Sequence, residues 1–69
     1  MQTFEELTDK HKELSEKLDA AHEELKDAFR AHNYEKAHLI AKEIAALTNE
    51  LIVIGDAAMK QALEGLRGE

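Results

Sequence analysis

The stretch "AHNYEKA", residues 31–37, decides how this chain folds. Aliphatic residues recur at helical spacing on both sides of it, and the segment holds the residues that end one helix and begin another. Asn33 tolerates a left-handed backbone, and its side chain suits the cap of a helix starting at Tyr34. The segment therefore reads as a hairpin bend, with the Tyr34 ring packed over the turn and its hydroxyl in water.

Upstream, Thr3 and Glu6 form a Thr-x-x-Glu capping box that marks a helix start. Phe4, Leu7, His11, Leu14, Leu18, Ala21, Leu25, Ala28 and His32 then alternate at spacings of three and four, which is the seam of a packed helix. Downstream, Ala37, Ile40, Ile44, Leu47, Leu51, Ile54, Ala58 and Ala62 keep the same rhythm. Folding back at Asn33 sets the two seams in antiparallel order, with Ala28 near Ala37, Leu14 near Leu51, Leu7 near Ala58 and Phe4 near Ala62. His11 falls beside Ile54 and Gly55. The expectation is an all-α chain forming one unit over 1–69: a helix over 3–32, a turn at 32–34 and a helix over 34–66.

Composition supports long helices. There is no proline, glycine occurs only at positions 55, 65 and 68, and Ala, Leu, Glu and Lys dominate. Without cysteine, neither disulfides nor thiolate metal sites can reinforce a chain of 69 residues. A chain this short leaves much apolar surface wet, so self-association is the remaining reinforcement.

The second helix shows where that association would occur. Ala41, Ala45, Thr48, Ile52, Gly55, Met59, Leu63 and Leu66 make another apolar stripe beside the seam, and one facing helix cannot cover both. A second copy is the simplest cover. The stripe predicts a homodimer, an antiparallel four-helix bundle with Ala41, Ala45, Thr48, Ile52, Met59, Leu63 and Leu66 at its interface. Gly55 has two readings. Either it makes room for the His11 imidazole or a close backbone crossing within a continuous or mildly bent helix, or it ends that helix. In the latter case a monomer of three helices covers its own face.

Catalytic chemistry finds little support. Glu35-x-x-His38 has the form of half a di-iron carboxylate site, yet it points to the polar side without the inward glutamates such a site needs. Asp19-x-x-His22 is no better placed, and Ser15, the one serine, has no histidine and carboxylate constellation around it. Neither an enzyme nor a cofactor is expected.

A net charge of −6 disfavours direct binding to nucleic acid or an anionic membrane and favours a basic protein surface. No segment approaches the roughly 18 apolar residues of a membrane span. Glu5, Asp9, Glu13, Glu16, Glu23 and Asp27 form an acidic ridge opposite the first seam, flanked by Glu6, Asp19 and Glu24. The ridge has two readings: a binding surface, or a solvated face balanced by Glu6–Lys10 and Glu13–Lys17 pairs. Leu39, Ala46, Val53 and Ala57 make a small apolar patch on the far side of the second helix. The candidate partner-binding residues are Glu13, Glu16, Glu23, Asp27, Tyr34 and Val53.

In length, acidity, lack of cysteine and dimerising hairpin design, the chain resembles the small early anti-activator proteins that bacteriophages, Mu-like Pseudomonas phages among them, make to disable host quorum-sensing regulators. The resemblance implies an inhibitor in the host bacterial cytoplasm that occupies the basic DNA-binding region of a LuxR-type transcription regulator. The segment "AFRAHNYEKAHLIAKEI", residues 28–44, also looks like the carboxy-terminal hairpin of J-domain co-chaperones for iron-sulfur assembly. The His-Pro-Asp motif of those proteins is absent, so that likeness implies a detached structural or assembly hairpin acting through its apolar stripe.

Overall fold

The computed structural model describes residues 3–67; residues 1, 2, 68 and 69, part of the expected single unit, lie outside the described residues. Two helices make up the described chain, α1 over Phe4–Arg30 and α2 over Tyr34–Arg67. They pack against each other as the hairpin expected from the two seams.

The start of α1 is set by Thr3, whose Oγ1 accepts from the Glu6 backbone N–H at 3.1 Å and donates to the Glu6 carboxylate at 3.2 Å. Glu6 is thereby engaged at the cap, and the expected Glu6–Lys10 pair does not form.

At the other end α1 stops at Arg30, with Ala31 as its cap residue and His32 in the left-handed region at φ 57°. The Asn33 N–H donates to the Ala28 carbonyl at 2.8 Å and the His32 N–H to the Phe29 carbonyl at 3.0 Å. This pair of bonds is a Schellman motif, which satisfies carbonyls the helix end leaves unpaired. The left-handed conformation falls on His32, one residue before the asparagine favoured for it. Asn33 instead caps α2, its Oδ1 accepting from the Lys36 N–H at 3.2 Å.

The core is a line of small and aliphatic side chains between the helices. Near the turn, Ala21, Ala28, Ala37 and Ile40 are buried, with Leu25, Ile44 and Leu47 packed on them. Toward the open end, Leu7, Leu14 and Ile54 are buried, supported by Leu47, Leu51, Ala57 and Ala58. Leu47 joins the two clusters. The buried residues nearest the turn are mostly alanines, and those toward the open end are leucine and isoleucine.

Four seam residues take other places. His11, His32 and Ala62 are exposed, and Phe4, expected beside Ala62, is 49% exposed; neither Phe4 nor Ala62 belongs to a core cluster. The core around Ile54 is filled by Leu7 and Leu14, so His11 is left on the flank. Ala57, assigned from its spacing to the outer patch, packs on the core.

α2 runs unbroken through Gly55. A Cβ built at Gly55 would meet nothing within 4 Å, so the space is used neither by an imidazole nor by a close crossing with α1. Seven residues longer than α1, α2 overhangs the start of α1 by about 10 Å at 1.5 Å per residue.

Candidate interaction surface

Large apolar side chains are distributed unequally between the two helices. In α1 every leucine is buried or half-buried. In α2, Leu39, Ile52, Val53, Met59, Leu63 and Leu66 are exposed, Ile52 at 56%, Met59 at 57% and Leu66 at 78%. Ala41, Ala45 and Thr48, the remaining members of the expected interface, are also exposed, while Gly55 is half-buried. All seven interface candidates therefore stand uncovered in the hairpin. The Thr48 Oγ1 donates to the Ile44 carbonyl at 2.8 Å, so its hydroxyl proton is already bonded within the helix.

The two flanks of the hairpin differ in character. On one, Lys10 lines a shallow groove with Asn49, Glu50, Val53 and Ile54. At about 100° per residue, Lys17 and Glu24 share that side of α1 with Lys10. The opposite flank carries His11, Ser15, His22 and Phe29 from α1 beside Ala41, Thr48, Ile52 and Gly55 from α2. Few charges interrupt it. The His22 ring N–H donates to the Leu18 carbonyl at 3.0 Å, which keeps this imidazole against its own helix.

At the closed end three aromatic rings meet. The Phe29 and Tyr34 centroids are 6.2 Å apart with planes tilted at 57°, and those of His32 and Tyr34 are 6.0 Å apart. These are favoured edge-to-face separations. The Tyr34 hydroxyl, expected to face water, shares a 3.0 Å hydrogen bond with His32 Nδ1. The ring covers the turn but stays 61% exposed, and Phe29 stays 52% exposed. Phe29 lies one step outside the α1 seam, a position that the three/four spacing does not assign to the core.

α1 carries nine acidic against five basic residues, and α2 five against four. Every ridge carboxylate is exposed. Glu13 pairs with Lys17 at 3.7 Å, Glu23 with Lys26 at 3.4 Å and Asp27 with Arg30 at 3.2 Å, each pair well solvated. Such exposed pairs contribute little to stability and exchange readily for an outside partner. The candidate partner-binding residues do not form one patch. Glu13, Glu16, Glu23 and Asp27 face outward from α1, Tyr34 sits at the tip, and Val53 lies about 28 Å along α2 from Tyr34.

Among the described residues, no group of three or more His, Cys, Asp or Glu side chains is placed to hold a metal ion. Glu35 and His38 border a shallow exposed depression with Asn33, Lys36 and Leu39. No helix of the described chain is long and apolar enough to cross a membrane. Comparison with protein-family models, with curated proteins and with solved structures found no match.

Proposed function

We propose that this chain is a non-catalytic protein-binding module that acts as a homodimer. Its α2 stripes pair two hairpins into a four-helix bundle, and its α1 ridges bind a basic protein surface. The reading rests on one observation above all: exposed aliphatic surface is concentrated on α2, while excess negative charge lies on the solvent side of α1. Self-association and partner binding can then proceed together, because neither surface covers the other.

A partner suited to this ridge carries arginine and lysine on a surface that otherwise meets phosphates. The DNA-binding region of a transcription regulator has that character, and an acidic dimer lodged there excludes DNA. This is the activity implied by the likeness to phage anti-activators, with a LuxR-type regulator as the named candidate. Charge reversal at Glu16, Glu23 and Asp27 together tests it. Binding to a basic DNA-binding domain, measured by calorimetry at increasing salt, is expected to weaken with ionic strength and with the reversals, while helical circular dichroism stays unchanged. Affinity indifferent to both removes the ridge from the function.

The exposed stripe itself supports a second reading, an assembly hairpin whose working surface is Ile52, Met59 and Leu63 and whose acidic face keeps it dispersed. In that case the ridge reversals are silent, and Ile52→Glu with Met59→Glu abolishes activity.

A further inference from the structure

We propose that the two copies meet with their α2 helices antiparallel and centred on Ile52, an arrangement that rests on the homodimer reading and specifies its geometry. A two-fold interface must complement itself: if one residue faces a second, the second faces the first in the other copy. The exposed stripe meets that condition in one direction. With Ile52 opposite its own copy, Ala41 falls opposite Leu63 and Ala45 opposite Met59, each a small residue facing a large one. Thr48 falls opposite the partner's Asp56 and next to its Gly55.

That last apposition supplies a use for Gly55. Glycine inside a helix is unfavourable by about 1 kcal/mol relative to alanine. Within the hairpin nothing occupies the space its missing side chain leaves. An α2 helix crossing from a second copy does occupy it, and Thr48 enters with its hydroxyl proton already bonded to its own helix. A parallel pairing instead sets Met59 on Met59 and Leu63 on Leu63, leaves a gap between facing alanines at 41 and 45, and places Asp56 beside Asp56.

The overhang of α2 fits the same arrangement. Leu66, 78% exposed beyond the start of its own α1, reaches the partner's closed end about one helical turn from the exposed Phe29–Tyr34 pair. The chain extends 56 Å by 17 Å along its two longest axes, an outline comparable with the roughly 800 Å² per partner that a stable interface buries.

The chain contains no native cysteine, so engineered ones report geometry cleanly. Ala45→Cys and Met59→Cys proteins, mixed under mild oxidation, are expected to give the mixed disulfide in large excess over either self-linked product, and Ile52→Cys to link to itself. Ala45→Cys and Met59→Cys each linking efficiently to itself overturns the antiparallel arrangement while leaving a homodimer in place. A native protein that light scattering finds monomeric at micromolar concentration overturns the homodimer and the arrangement together. A dimer in which neither the mixed pair nor Ile52→Cys cross-links overturns the register centred on Ile52.

Discussion

The two helices of this hairpin face each other along their whole shared length, yet they use their apolar residues differently. α1 turns all its leucines inward, and of its large apolar side chains leaves only Phe4 and Phe29, at its two ends, exposed. α2 supplies the matching seam from Ala37 to Ala58 and still has six large aliphatic residues exposed. A helix presents only a limited arc to a single neighbour, so α1, with one stripe, is satisfied by one partner, whereas α2 is not. The asymmetry separates two apolar surfaces: the hairpin seam, which sets the fold, and the uncovered stripe, which the proposed second copy would cover.

Substitutions separate the two. Leu14→Ala, at 5% exposure in the core, is expected to lower unfolding free energy by about 2–5 kcal/mol, enough to unfold a chain this small in thermal or urea melts. Ile52→Glu with Met59→Glu is expected to weaken self-association at least about a hundredfold in analytical ultracentrifugation, with the helical spectrum of the subunit retained. A double variant that stays dimeric would move the interface elsewhere.

Smaller effects probe the ends and the glycine. Asn33→Ala removes the cap of α2 and is expected to cost about 1 kcal/mol in denaturant titration. Gly55→Ala sharpens the comparison because its two consequences have opposite signs. In the isolated hairpin the new methyl meets nothing, so helix propensity alone adds up to about 1 kcal/mol of stability. In the proposed dimer it would intrude on the crossing helix and weaken association, so stability measured across protein concentrations is expected to separate the two. Leu39→Ala, exposed on α2 away from the stripe, is expected to change stability by less than about 0.5 kcal/mol.

The order of events at the turn shows how far a sequence can be read. The presence of a bend at residues 31–37 follows from composition, because Asn33 is a strong cap and the apolar rhythm restarts after it. Which residue goes left-handed does not follow. The Schellman bonds from His32 and Asn33 to Phe29 and Ala28 place that conformation on His32, and Asn33 is left free to cap. Glycine at position 32 would relieve the unfavourable backbone, by about 1 kcal/mol, at the loss of the bond to Tyr34.

What the sequence determined by itself was periodic: the helical class, the two seams that pair, the capping of α1 by Thr3, and the surplus stripe on α2. These properties are local, since spacing near 3.6 residues assigns each side chain to a face before any neighbour arrives. Tertiary structure decided everything that depends on how far one helix reaches around another. It left His11 on the flank and Phe4 half-exposed, drew Ala57 into the core, and joined Tyr34 to His32 and Phe29 across the turn. It also left Gly55 with an empty space at its side. A rhythm names the face of a helix, but only the packed distance between two helices says which residues on the edge of that face are covered.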